Sequence, residues 1–309
     1  MSPHQTHITR VSRSTADRVW QAAAGLTAFG VSLLAVMNGA QAQNAPQRVV
    51  SINLCTDQMA MQIAAPGQLL SVSYIAADPV SSALADQAGA YRLNHGQAEE
   101  IFLMQPDLVL AGTYSARTTI DLLRQLGVRV EQFAPESSLE DVRASFVRMG
   151  EILAQPARAA ELVAKFDAEL AQARQAQHQK LTAATYEANS YTAGSGTLVD
   201  AVISAAGLKN LGAELGYVGS TRLPLENLIL AKPDLLIGGG REYQAPALAD
   251  GNFDHPAFLA LAKQSQPVYL PARYTICGGL ATAEAVRILS DAARAAEAKK
   301  NQAVEAKKR

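Results

Sequence analysis

Side chains of the kind that perform covalent or metal chemistry are few in this chain, and they are scattered. Beyond residue 42 the histidines are His95, His178 and His255, and the cysteines are Cys55 and Cys277. There is no HExxH pair, no GxSxG elbow and no CxxC, so zinc-hydrolase, serine-hydrolase and dithiol chemistry lack their usual parts. Gly194-Ser195-Gly196 and Gly238-Gly239-Gly240 are not followed by Lys-Ser/Thr, and they read as turn glycines rather than as a phosphate loop. A receptor for bare zinc or manganese needs several histidines and carboxylates converging on one point. Three separated histidines, with His178 on a helix, supply few partners. The expectation is a protein with no catalytic residues, no resident metal and no cofactor.

Tyrosine is the residue type concentrated where a ligand would sit. Tyr74, Tyr114, Tyr191, Tyr243 and Tyr274, five of the nine tyrosines, each follow a candidate strand. A tyrosine presents a flat apolar face and a polar tip, suited to a bulky ligand that is part ring and part amide or hydroxamate. The alternative is that these rings pack loop against loop. Arg117, Arg222, Arg241 and Arg273 lie in or near the same loops, as holders of oxygen-rich groups or as plain surface charges.

The elements that must position these residues alternate. Arg48–Ile52, Leu69–Ser73, Asp107–Ala111 and Val128–Phe133 read as strands, with helical patterns over Gln58–Ala65, Ala98–Met104 and Ala116–Leu126 between them. Such alternation implies parallel sheets covered on both faces. From Ser138 to Gln179 apolar residues recur at helical spacing, which predicts one long connecting helix with a kink or break at Pro156. Alternation then resumes over Ala184–Tyr191, Leu198–Ala206, Asp234–Gly238, Pro256–Ala262 and Val268–Leu270, with a last helix from Ala281. The fold class expected is α/β: two similar lobes with parallel sheets, a backbone helix joining them and a ligand cleft between.

The two halves share a motif. EEIFLMQPDLVLAG (Glu99–Gly112) aligns without gaps to ENLILAKPDLLIGG (Glu226–Gly239), with six of fourteen positions identical; chance would give roughly one. This is an internal duplication. Glu99 and Glu226 occupy equivalent places at the start of a short helix. Either the helix dipole favours them there, or they are paired acidic knobs that dock onto basic sockets of a partner.

Composition narrows the classes. With 27 Lys+Arg against 28 Asp+Glu, 49% hydrophobic and 18% charged residues in 309, the chain is globular and carries no basic surface for nucleic acid. Arg10, Arg13 and Arg18 precede an uncharged apolar run ending in Ala40-Gln41-Ala42, the pattern of a secretory signal cleaved after Ala42, with an uncleaved anchor as the alternative. The expected division is 1–42 signal peptide, 43–137 first lobe, 138–180 connecting helix and 181–309 second lobe with a helical tail.

Taken together, RVVSINLCTDQ, NHGQAEEIFLMQPDLVLAG, LPLENLILAKPDLLIGG and the closing HPAFLAL…VYLPARYTICGGLATAEAV resemble the periplasmic substrate-binding proteins of ATP-driven importers for iron-siderophores and cobalamin. The resemblance implies a non-catalytic periplasmic receptor, monomeric, that binds a metal chelate (a ferric siderophore or a cobalamin-type corrinoid) between lobes that flex little. It also implies delivery to an inner-membrane ABC permease with its ATPase, with Glu99 and Glu226 meeting permease arginines and with aromatic residues and a few arginines holding the chelate. The tryptophan that commonly precedes the CGG segment in similar sequences is replaced here by Tyr274-Thr275-Ile276. Cys55 and Cys277 would bridge in an oxidising periplasm if their Cα atoms came within about 7 Å, tethering the lobes; otherwise they are two thiols near the cleft. A periplasmic enzyme on the same scaffold and a receptor for bare zinc or manganese are the other readings.

Overall fold

A computed structural model describes residues 45–174, 181–238 and 248–308. The signal-like segment 1–42, His178, Arg241 and Tyr243 lie outside the described residues.

The first β-branched run forms β1 (Val49–Ser51). Asn53 follows in an extended conformation, and its side-chain oxygen accepts from the amides of Cys55 and Thr56 to start α1 (Leu54–Ile63). Then come β2 (Leu69–Ser73), the short α2 (Ala85–Ala88), β3 (Arg92–Asn94), α3 (Ala98–Leu103), β4 (Leu108–Gly112), α4 (Arg117–Gln125) and β5 (Val130–Phe133). The five strands are all parallel, in the order β3-β2-β1-β4-β5. Val49, Val50 and Leu108 to Ala111 are fully buried, as a parallel sheet covered on both faces requires. Sequence periodicity did not indicate β3, whose three residues include exposed Arg92 and Leu93.

The stretch expected as a connecting helix breaks near Pro156. α5 (Leu139–Ile152) begins at Ser138, whose hydroxyl accepts from the amide of Asp141, and α6 (Pro156–Ala173) starts with proline at its first turn. Between them Ala154 is left-handed, with φ 55°. The chain reverses there, because Phe146 meets Phe166 edge-on at 6.4 Å and Arg143 pairs with Asp167 at 2.7 Å. A Cβ at Gly150 would stand 2.4 Å from that of Ala159, so glycine lets the two helices close together. The long helix is thus α6, and α5 folds back along it.

The second lobe comprises β6 (Thr182–Tyr186), β7 (Tyr191–Ala193), α7 (Leu198–Ala205), β8 (Lys209–Asn210), α8 (Leu211–Glu214), β9 (Ser220–Arg222), α9 (Leu225–Ala231), β10 (Leu235–Gly238), α10 (Pro256–Gln264) and β11 (Gln266–Val268). The terminal helix α11 (Ala281–Lys308) packs along α6 and α7. Its main sheet is parallel, in the order β11-β10-β6-β8. The strand expected over Ala184–Tyr191 ends at Tyr186, because Asn189 and Ser190 take left-handed φ values of 56° and 64°. Tyr191 then opens β7, which pairs antiparallel with β9.

The sequence duplication is also a structural one. Asp107 accepts from the amides of Gln47 and Arg48 just before β1, and Asp234 accepts from the amide of Thr182 at the start of β6. In each repeat the Pro-Asp step therefore ties a short helix's end to the parallel strand pair beside it. The residues before the two prolines, Gln105 and Lys232, share a left-handed φ of 50° and 49°.

One continuous set of buried apolar side chains runs from Val49, Leu108 and Leu110 through Phe146, Met149 and Phe166 to Ala183, Leu235, Val286 and Leu289. Both sheets thus share a core across α5, α6 and α11. Within the first lobe, buried Asp57 accepts hydrogen bonds from the Ser73 amide, at 3.2 Å, and from the Ser73 hydroxyl. Burial outweighs these bonds and raises its pKa from 3.8 to about 6. The folded value lies above the unfolded one, so the group's contribution is fully present below about pH 4 and is lost as pH rises through 6. Asp57→Asn should therefore gain on the wild type by roughly 3 kcal/mol between pH 4 and pH 7, read as the change in the difference between their urea stabilities. A difference that stays flat across that window would show that Asp57 does not titrate there.

Candidate functional site

A cavity of about 760 Å³ opens where the two lobes face each other at the carboxyl ends of their strands. Tyr114, in the loop after β4, and Pro135, Glu136 and Ser137, after β5, supply the first lobe's wall. The second lobe contributes Thr185, Glu187, Tyr191, the amino-terminal turn of α7, Ser220, Ile237 and Gly238. Tyr269 and Leu270, beyond β11, and Thr275 and Ile276 complete it.

Local structure explains how these side chains are held. The hydroxyls of Thr185 and Thr192 lie 3.1 Å apart, and Thr185 also accepts from the amide of Ala193, so β7 is stitched to β6 and Tyr191 is carried to the rim. The guanidinium of Arg222, opposite Tyr191 in the ladder, stacks over its ring at 5.7 Å. A Cβ on Gly194 would lie 2.3 Å from the carbonyl oxygen of Tyr217, and glycine is what permits the strand to cross there. Tyr114, Tyr191 and Tyr269 are all exposed, Tyr114 at 88%, and their hydroxyls bond to no other described residue.

Glu136 and Glu187 are the charged members of the lining, and no Lys, Arg or His lies among the described lining residues. Glu136 is only 7% exposed; its Oε2 accepts from the amide of Gly278 at 3.3 Å, and Oε1 is buried with no hydrogen-bond partner among the described residues. Burial raises its pKa above the ordinary carboxylate value.

Cys55, at the start of α1, and Cys277 are joined in a disulfide with their Cα atoms 5.1 Å apart. The bond pins the loop that carries Thr275 and Ile276 to the first lobe. A Cβ on Gly278 would meet Val142 at 2.5 Å and Glu136 at 2.9 Å, so the chain beyond the bridge lies flat against α5 and the loop before it.

Of the residues singled out from the sequence, Tyr114 and Tyr191 line the cavity. Tyr74 stands apart from its wall and stacks on His95 at 5.2 Å. Tyr274 lies under the guanidinium of Arg273, 4.9 Å from its ring, and Arg273 itself donates to the carbonyl of Pro79 and faces a second cavity of about 440 Å³. Arg117 extends into solvent beside Asp121. Glu99 and Glu226 are exposed and, among the described residues, make no ion pair. No three His, Cys, Asp or Glu side chains converge among the described residues. Tyr269 and Glu136 were not anticipated. Tyr269 fell inside the strand expected over Val268–Leu270, but that strand ends at Val268 and leaves the ring just beyond it, whereas Glu136 carries no motif.

The sequence model of the family described as periplasmic binding protein matches residues 49–273, from β1 to just beyond β11. The chain belongs to the periplasmic binding protein family. Within that family it is similar to the cobalamin-binding protein of Halobacterium salinarum, 26% identical over 199 residues. That match takes in 63% of this chain and 54% of the relative, so the chain spans about half the relative's length. Among solved structures it resembles the apo periplasmic haem-binding protein RhuT of Roseiflexus sp. RS-1, with TM-score 0.63 and 24% identity over 80% of this chain and 99% of that one. It also resembles the periplasmic vitamin B12-binding protein BtuF of Vibrio cholerae, with TM-score 0.62 and 18% identity over 82% and 98%. The likenesses to solved structures show the two-lobed fold of periplasmic binding proteins.

Proposed function

We propose that the protein captures a metal chelate, a corrinoid of the cobalamin type, in the cleft between its lobes. It then hands the chelate to an inner-membrane ABC permease with its ATPase. The observation that carries this reading is the lining: three exposed tyrosines around a cavity of about 760 Å³ between the lobes. Corrinoids present a broad ring edged by amides and little or no negative charge, which suits aromatic faces and phenolic hydroxyls. The likeness to a cobalamin-binding protein supports the same choice. Residues 1–42 serve as a cleaved export signal in this reading, the mature chain acts as a monomer, and Glu99 and Glu226 face the permease.

A thermal-shift screen of the mature protein tests it. A ligand at 100 times its Kd adds about 2.7 kcal/mol, which moves Tm by roughly 5–10 °C in a chain of this size. Cyanocobalamin or cobinamide should produce that shift, and ferric catecholates, haem, Zn²⁺ and Mn²⁺ should not. A shift with a ferric hydroxamate instead would keep the receptor and change the chelate, whereas a shift with bare metal alone would overturn the reading. Removing one ring, as Tyr191→Ala or Tyr114→Ala, should weaken corrinoid binding by about 1–2 kcal/mol, roughly 5- to 30-fold in Kd, with Tm of the free protein little changed.

A further inference from the structure

The repeated segments share a surface feature beyond their glutamates. Leu103 and Leu230 each lie four residues after the duplicated acid, and they are 80% and 79% exposed. In both repeats the core is served by other residues: α3 buries Ala98 and Ile101, and α9 buries Leu228. Neither leucine is needed to hold its helix. Each helix packs beside the one that follows the next strand, α3 on α4 and α9 on α10, and those neighbours add exposed Leu122 and Leu126 in one lobe and Leu259 in the other. Single exposed leucines are ordinary on protein surfaces. Two at the same register, each one helical turn from an exposed carboxylate without an ion pair among the described residues, form a matched pair of mixed acidic and apolar patches.

We infer that Leu103 and Leu230 are apolar docking knobs that work beside Glu99 and Glu226, one set per lobe. Their partner is a permease built of two like subunits, each offering a cation next to an apolar depression. This rests on the receptor reading above and specifies the chemistry of its partner. The charge pairing orients the encounter, and the leucines supply the contact that salt does not screen. Two equivalent patches on one chain call for two equivalent sockets, which a dimeric permease provides and a single asymmetric partner does not.

The test uses the full-length chain in a strain of the native host whose own copy is deleted. Wild type, Leu103→Asn, Leu230→Asn and the double variant are compared for uptake of labelled cobinamide. The purified proteins are compared for cobinamide affinity, for Tm, and for co-sedimentation with right-side-out membrane vesicles of the same host. The double variant should keep its Tm and its cobinamide affinity yet lose uptake at least 10-fold, each single variant falling between. In vesicles its residual binding should be more salt-sensitive than that of wild type. Wild-type uptake and wild-type vesicle binding in the double variant would overturn the inference while leaving the receptor reading intact. A deletion strain that takes up cobinamide as well as its parent would overturn the receptor reading itself, and the docking inference with it.

Discussion

Serine at both Cys55 and Cys277 is expected to lower the stability of the folded protein by roughly 3–5 kcal/mol, and Tm by about 10–15 °C. The bond closes a loop of 222 residues, and the entropy that a cross-link removes from the unfolded chain grows with loop length. Its position adds a consequence for binding. The residues just before Cys277 wall the cleft, and the one just after is packed against Glu136 and Val142. Released from α1, that loop gains freedom that a ligand must then take away, so cobinamide affinity should also fall several-fold. Guanidinium unfolding of oxidised wild type, reduced wild type and the double variant checks both claims. If the oxidised and reduced proteins unfold at the same midpoint, the bridge contributes nothing to stability.

Reversing both duplicated carboxylates, Glu99→Arg with Glu226→Arg, should abolish uptake while leaving ligand binding untouched. Neither residue lines the cavity, so the purified variant should bind cobinamide as the wild type does. If the two acids meet cations of a permease, as proposed, each reversal replaces an attraction with a like-charge contact that costs several kcal/mol. Two together should reduce uptake by 100-fold or more, each alone by less. The competing account, that the acids merely complement the helix dipoles, predicts a different outcome. Losing a favourable charge at a helix start costs about 0.3–1 kcal/mol, so that account gives a small fall in Tm and unchanged uptake. Glu99→Gln with Glu226→Gln separates the two further, since it removes the attraction without adding repulsion.

The repeated Pro-Asp step was legible because it does the same job twice. Asp107 and Asp234 each hold the amides that lead into a neighbouring strand, and that requirement fixes residue type and spacing together. The α/β alternation was legible for a similar reason, since fully buried strands such as β4 must be continuous apolar runs. The reversal between α5 and α6 was only half legible. Pro156 announces a break, but the direction of the chain beyond it depends on Gly150 admitting Ala159, a contact between positions that periodicity treats as one helix. Among the site residues, Tyr114 and Tyr191 could be found because they follow strands whose ends face the cleft. Tyr74 follows a strand as well, yet it turns to His95, a distinction set by the third dimension alone. Glu136 was hidden because a lone glutamate before a helix is among the commonest of surface residues. Only the return of Gly278 against it makes it a buried one.

The apolar core that passes unbroken from one sheet to the other bears on how the duplicated halves relate. Apart from β3, the two copies retain matching strand order and matching carboxylates, and each keeps a smaller buried cluster of its own, around Ile101 and Val109 in one and around Tyr186 and Phe258 in the other, beside the core they share. Phe146 and Phe166 sit between them, and α11 packs along α6 and the second lobe. The halves are coupled through that shared core, even though each still displays the surface signature of the repeat.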